Sequence, residues 1–362
     1  MSVTTRVVLG VGVIAAIAAC TGSDQKGAAG GTAVAQTSSS VDLNGAGATF
    51  PYPIYSKWFS DYATSTGVKI NYQSIGSGGG IRQLSEQTVD FGASDSPMKD
   101  DEMTNAKGGA VMHFPTVLGA VVLTYNVAGL TAPLKLSGPV IADIYLGRIT
   151  KWNDTRIATL NSGVKLPATD ILVVHRSEGS GTTFIFSDYL ATVSPTWAKA
   201  PGRGKELQWP VGIGAKGNEA VSGQVKQTPG AIGYVELAYA KQNKMAYASV
   251  QNAAGKFVEP TVESVTAAAD GAIAKLPANT DYRVSIVNAG GANSYPISSF
   301  TWLLVYRNQG DAAKAKKLKD FMKWAFSTGE QSAASLDYAP LPATLAQRLT
   351  ARIDSIGGGA TP

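Results

Sequence analysis

The residues best suited to chemistry lie between His175 and Phe184, in the run HRSEGSGTTF. Arg176 offers a planar fork of donors that matches an oxyanion, and Glu178, two residues on, can hold that fork in place. Gly179, Ser180, Gly181, Thr182 and Thr183 follow. Glycines let backbone approach a ligand closely, and the hydroxyls can cap a helix or donate to an anion. The apolar run Ile171 to Val174 reads as a buried strand, and FIFSDYL after the loop reads as the first turns of a helix. A helix N-terminus presents unpaired backbone N–H groups and the positive end of the macrodipole, so this arrangement suits an anion. An ordinary capped helix with a solvated Arg176–Glu178 pair fits the same residues, and this stretch alone does not separate the two.

Three further stretches repeat that chemistry. In Asn44 to Pro51, NGAGATFP, small residues lead to Thr49 and Phe50, then to a proline suited to a first helical turn. The following IYSKWFSDYA is amphipathic, which puts GAGATF at a helix N-terminus. Ile75 to Ile81, IGSGGGI, is again a strand giving way to glycines and a helix, and includes Ser77. Asp90 to Pro97, DFGASDSP, is a strand end with Asp95 in a turn. Each alone fits turn chemistry. Together they make a set of strand-to-helix loops, and in open α/β sheets such loops gather at the carboxyl ends of the strands, where ligands bind.

The elements that must position these loops alternate along the chain. Val68 to Ile75, Ala110 to Phe114 and Gly119 to Tyr125 read as strands. Gly80 to Gln87, Val140 to Leu146 and Ala312 to Phe326 read as helices, the last with Leu318, Phe321, Met322 and Ala325 on one face. Alternation of this kind predicts an α/β protein of parallel sheets with helices on both faces. The part from Val41 onward is long enough for two domains, and 44% hydrophobic residues with 40 glycines and 17 prolines suits many turns. No repeat of fixed period is visible.

Met1 to Cys20 carries one basic residue, Arg6, and a Gly/Ala-rich apolar run too short for a confident span, so it reads as a signal peptide. Its end, Ile17-Ala18-Ala19-Cys20, resembles the bacterial lipobox, which predicts lipid on Cys20. Cys20 is the sole cysteine, which leaves it neither a disulfide partner nor a thiol companion for a metal. Thr21 to Ser40 is rich in Gly, Ala, Ser and Thr and reads as a flexible tether. Loss of Arg6 with the leader lowers the formal charge from +5 to +4, and no basic block points to nucleic acid.

NGAGATFPYPIY, IGSGGG, VDFGASDSPM, FPTVLGAVVLTYN, DIYLGRITKWND, HRSEGSGTTFIFSDYL, WPVGIGAKGNEAV, TPGAIGYVELAYA and LDYAPLP run in order along nearly all of Val41 to Ala351. With these motifs the chain resembles the phosphate-binding proteins of bacterial high-affinity ABC phosphate importers. The resemblance implies a two-lobed type II periplasmic-binding-protein fold, with the ligand in the interlobe cleft and two crossover hinge segments. It implies lobe one at 41–116 plus 297–362 and lobe two at 117–296, with crossings near Phe114 to Gly119 and Asn293 to Ser299. The implied function is binding of inorganic phosphate by hinge closure and delivery to an ABC permease, by a monomer without catalysis, cofactor or metal. The implied location is the periplasm or cell envelope, lipid-anchored through Cys20. The family's ligand positions fall on Thr49, Phe50 (backbone N–H), Ser77, Asp95, Arg176, Ser180, Gly181 (backbone N–H) and Thr182. Glu178 stands where the family usually has Asp, and a longer side chain can still pair with Arg176.

Those residue types suit the ligand. A buried dianion needs many donors, because an uncompensated charge out of water is very costly. A carboxylate at Asp95 repels an anion unless the ligand brings a proton to share. Hydrogen phosphate brings one near neutral pH and sulfate does not, so Asp95 reads as a barrier to sulfate. Arsenate, with nearly the same shape and protonation, is not separated from phosphate by this reasoning. Another tetrahedral oxyanion, or a phosphate-ester hydrolase, are the alternative functions. Gly212-x-Gly214-x-x-Gly217 matches a dinucleotide fingerprint but follows Trp209-Pro210 without a convincing strand. There is no phosphate-loop GxxxxGK motif, and Glu178 occupies the place where a nucleophile elbow around Ser180 needs glycine. His113 and His175 lack metal-ligand spacing, and His175 reads as a satisfied neighbour of the site rather than a base. The aromatic residues of YPIYSKWF and YVELAYA read as core at helical spacing.

Overall fold

The computed structural model of the chain describes residues 43–130, 133–273, 276–277 and 280–358. The predicted leader, its Cys20 and the tether Thr21 to Ser40 lie outside the described residues. The strands that carry the site are β1 (Leu43–Gly47), β2 (Ile70–Ser74), β3 (Phe91–Ser94), β4 (Val111–Tyr125), β5 (Leu172–Arg176), β6 (Ile213–Ala215), β7 (Ala231–Glu236), β8 (Ala246–Tyr247) and β9 (Ser298–Tyr306). The helices that matter most are α1 (Tyr52–Thr66), α2 (Ser77–Ser85), α3 (Gly138–Tyr145), α4 (Gly181–Val193), α5 (Gly217–Gln227), α6 (Leu237–Gln242) and α7 (Ala312–Ala325).

The nine strands form one sheet in the order β2-β1-β3-β9-β4-β7-β5-β6, with β8 paired to β4. It is mixed, which corrects the expectation of purely parallel sheets. β1, β2 and β3 are parallel, as are β5, β6 and β7. Between these two parallel blocks run β9 and β4, each antiparallel to its neighbours. Both inner strands are buried on both faces throughout, so they show no alternation of apolar and polar residues and give no sign of their direction.

The two strands expected at Ala110 to Phe114 and Gly119 to Tyr125 are one strand of 15 residues. Pro115 made the sequence look interrupted, because proline cannot donate to a ladder. Here the register with β9 shifts between Thr301 and Trp302, opposite Pro115 and Val117, so Thr116 is the extra residue of a bulge. The Thr116 hydroxyl donates to Thr301 O at 3.2 Å and lies 2.8 Å from the Tyr55 hydroxyl, so the irregular point is bonded on both sides. β4 pairs with β9 up to Ala120 and with β7 from Val121 onward. At that change of partner the chain before β9 comes alongside, with Val121 N–H donating to Ile297 O at 2.9 Å.

α1 shows how a local pattern becomes packing. Ile54, Tyr55, Trp58, Phe59 and Tyr62 recur at three- and four-residue spacing and are all buried. Gly67 ends the helix in the left-handed region at φ 74°, its N–H donating to Ala63 O at 2.8 Å. The apolar stripe meets α7, with Phe321 5.4 Å from Phe59 and 5.3 Å from Tyr62 between ring centroids.

Candidate functional site

Each predicted loop sits where a strand hands over to a helix. β1 ends at Gly47, whose φ of 150° and close approach to the Ala93 backbone leave no room for a side chain. The Gly47 carbonyl accepts from both Ile75 N–H (3.0 Å) and Gly76 N–H (2.8 Å), and Ala48 N–H donates to Ala93 O at 2.9 Å. The loops bearing Thr49, Ser77 and Asp95 are thereby tied by backbone into one rim. The opposite rim comes from the other parallel block. β5 ends in Arg176, Ser180 caps α4 by accepting from Thr183 N–H at 3.1 Å, and Gly217 opens α5.

The rims touch. Gly78 N–H donates to Gly179 O at 2.8 Å, and Gly181 N–H donates to Ser77 Oγ at 3.0 Å. Asn218 Nδ2 donates to Thr49 Oγ1 at 2.8 Å, and the Tyr239 hydroxyl donates to Thr49 O at 2.6 Å. Thr49, Ser77, Asp95, Arg176, Ser180, Gly181 and Thr182 are all buried.

Counting donors shows what this cluster can do. A hydroxyl has two lone pairs and one proton. Thr49 Oγ1 accepts from Asn218 N–H (3.3 Å) and Asn218 Nδ2 (2.8 Å). Thr182 Oγ1 accepts from Arg176 Nη1 and Asn218 Nδ2, both at 3.2 Å. Ser77 Oγ accepts from Asp95 N–H (3.2 Å) and Gly181 N–H (3.0 Å), and its own proton has only a long 3.5 Å approach to Asp95 Oδ2. All three oxygens are used to capacity as acceptors, and what each has left to offer is an O–H donor. Arg176 Nε donates to Glu178 Oε1 at 2.9 Å, Nη2 pairs with the same oxygen, and Gly217 N–H reaches it at 3.0 Å. Glu178 thus fixes the guanidinium against the start of α5.

Beside Glu178, which is tied up with Arg176, Asp95 is the second carboxyl in the cluster. Its Oδ1 accepts from Thr301 Oγ1 at 2.8 Å. Burial pushes its pKa up to about 7, with Thr301, Arg176 and Ser77 pulling the other way. The site is a buried cluster of hydroxyl and N–H donors around the Arg176–Glu178 pair, with the Asp95 carboxyl among them.

Phe50 is buried immediately before the Pro51 cap of α1, and its carbonyl accepts from the Tyr338 hydroxyl at 2.6 Å. His175 stacks on Trp209 with centroids 4.7 Å apart, has Nδ1 3.0 Å from Arg176 O, and is held below its usual pKa by burial. His113 is paired through Nδ1 with Asp281 Oδ2 at 2.9 Å and accepts Met98 N–H at Nε2. Among the described residues no group of three or more His, Cys, Asp or Glu is placed to hold a metal ion.

Sequence reasoning missed Asn218, Thr301, Tyr239 and Glu236. Asn218 lies just past the Gly212-to-Gly217 motif: no strand leads into Gly212, β6 runs inside the motif, and Asn218 follows Gly217 in the first turn of α5. The strand is three residues long and carries one glycine of the motif, too little to show in a pattern. Tyr234 belongs to β7, not to a helix, and only Tyr239 of that motif is helical. Both are buried as expected. Thr301 lies in β9 with Ser298 and Ser299, and nothing local marks it as a partner of Asp95.

The family model for the PBP superfamily domain matches residues 27–328. The phosphate-binding protein PstS of Xylella fastidiosa strain 9a5c is 47% identical over 332 residues, covering 91% of this chain and 90% of that protein. That of Pasteurella multocida strain Pm70 is 47% identical over 319 residues, covering 88% and 91%. Among solved structures, the high-affinity periplasmic phosphate-binding protein PfluDING bound with phosphate aligns with a TM-score of 0.68 at 22% identity, over 87% of this chain and 99% of that one. The fold is the two-lobed type II fold of periplasmic binding proteins. The chain belongs to the PBP superfamily and, within it, to the PstS family of phosphate-binding proteins.

Proposed function

We propose that this protein is a carrier that binds inorganic phosphate and delivers it to the membrane permease of an ABC-type importer. The observation that carries this reading is the donor count. Two threonine hydroxyls with both lone pairs already engaged, the Ser77 hydroxyl bonded by Asp95 N–H, and buried Arg176 lie in one buried cluster with Asp95. Such a shell suits a ligand made of acceptors that also brings one proton. Hydrogen phosphate is that ligand, and its proton goes to Asp95. The ligand set is Thr49, Phe50, Ser77, Asp95, Arg176, Ser180, Gly181 and Thr182, with Glu178 as the support of Arg176. The names of the relatives, at 47% identity, agree with it.

The lobes divide near residues 116 and 297, and the anion joins them. Gly181 N–H donates to Ser77 Oγ where the rims touch, and a bound anion takes over that donor as the lobes close around it. The protein works in the periplasm or cell envelope, as a monomer, held to a membrane through lipid on Cys20. Intact-mass measurement of the mature N-terminus finds that lipid, and an unmodified Cys20 removes the anchor from the proposal. A phosphate-ester hydrolase is the weaker reading, since Ser180 caps a helix and His175 is held by Trp209 and the Arg176 carbonyl.

Calorimetric titration of the anion-stripped protein tests the function. Tight binding of phosphate with little response to sulfate is the expected result. Comparable binding of both leaves the fold intact and removes the ligand assignment. Turnover of a simple phosphomonoester points back to the hydrolase.

A further inference from the structure

We infer that Asn218 sets the hydrogen-bond polarity of the site, obliging the hydroxyls of Thr49 and Thr182 to act as donors toward the anion. This rests on the phosphate reading above and adds to it a residue that touches the ligand's partners rather than the ligand.

Asn218 is fully buried in the first turn of α5. Its Oδ1 accepts the backbone N–H of Glu236 at 3.0 Å. That N–H offers only a proton, so the amide cannot be reversed, and Nδ2 must face the opposite way. There its two protons go to Thr49 Oγ1 at 2.8 Å and Thr182 Oγ1 at 3.2 Å. Thr49 receives a second donor from the Asn218 backbone, and Thr182 a second from Arg176. Each threonine oxygen therefore has no lone pair left for a ligand donor, and what it can offer an anion is its proton. Thr49 follows β1 and Thr182 lies in α4 after β5, so one amide fixes the polarity of both rims.

The anchor of this arrangement is itself held. Glu236 ends β7 and caps α6, with Oε2 accepting from Ala238 N–H at 2.8 Å and from the Tyr338 hydroxyl at 3.1 Å. The Glu236 N–H is thus set by the junction of β7 and α6, which fixes the sense of the amide. A water-filled or apolar replacement at 218 leaves both hydroxyls free to rotate, while a carboxylate of the same shape turns both protons away from the anion.

The test is phosphate titration of the anion-stripped full chain carrying Asn218→Asp or Asn218→Ala, beside the wild type, with thermal melting of each ligand-free protein. Asn218→Asp still accepts the Glu236 N–H but takes the threonine protons and adds a charge, so affinity falls roughly a hundredfold or more. Asn218→Ala loses roughly tenfold. The acid variant regains affinity relative to wild type as pH falls, because a protonated carboxyl recovers one donor, and Asn218→Ala does not. A merely structural role has no such pH course. Wild-type affinity in Asn218→Asp, or an Asp variant and an Ala variant weakened equally at every pH, overturns the inference. Where the acid variant does not fold, Asn218→Ala binding as tightly as wild type overturns it alone. Failure of the wild type to bind phosphate strikes the phosphate reading first and is distinguishable from either result.

Discussion

A carboxyl buried beside Arg176 and Ser77 has two consequences that one substitution separates. Asp95→Asn replaces an acceptor for the ligand's proton with a group that can also donate, so the preference for phosphate over sulfate narrows. Competitive titration reads this, and unchanged selectivity refutes the role of Asp95. The same variant changes the pH dependence of stability. Burial disfavours the charge and pushes the Asp95 pKa in the folded state up to about 7 from its ordinary 3.8. The folded state therefore holds this proton more tightly than the unfolded state, and the associated stability is full below about 3.8. It is lost as pH rises toward 7, by on the order of 4 kcal/mol. Melting of the ligand-free protein between pH 4 and 8 shows wild type losing ground to Asp95→Asn as pH rises, and a constant difference sinks the claim. Asp95 was legible because its motif is local. Its partner Thr301 was not, since 206 positions separate the two and only β9 beside β3 brings them together.

At the scale of elements, the strand-to-helix joints decide how closely the rims can approach. Gly181 opens α4, and a Cβ there would lie 2.5 Å from both Asp95 Oδ2 and Ser77 Oγ. Gly181→Ala thus wedges one rim from the other, and overpacking of this kind costs about 1–3 kcal/mol. The cost falls on the closed form, so phosphate affinity drops about tenfold to a hundredfold while ligand-free melting changes little. Binding at wild-type strength shows that the rims do not need this contact. The joints were readable from glycine, serine and threonine following apolar runs. The β4 bulge was not, because Pro115 breaks a pattern that hydrogen bonds from Thr116 restore.

The whole molecule sets a different constraint, since both rims depend on segments distant in sequence. Thr49 O accepts from Tyr239, Phe50 O accepts from Tyr338, and Glu102 pairs with Lys205. If the lobes divide near residues 116 and 297, the Tyr239 and Lys205 contacts span the cleft, and phosphate favours the form in which they are made. Small-angle scattering then shows a smaller radius of gyration on adding phosphate to the stripped protein. An unchanged radius removes hinge closure from the mechanism. A ligand at 100 times its Kd also stabilises the folded state by about 2.7 kcal/mol, which calorimetric melting reads independently.

By itself the sequence determined the α/β class and the four strand-to-helix loops, because strand ends, helix starts and the small and hydroxyl residues between them are written within ten residues of one another. Tertiary structure alone decided that the sheet is mixed, that β4 is unbroken, and that Asn218, Thr301 and Glu236 complete the site. The reason is physical. Direction of a doubly buried strand leaves no mark on its composition. The sense of a hydrogen bond between Asn218 and a threonine 169 residues away exists only once both are packed together.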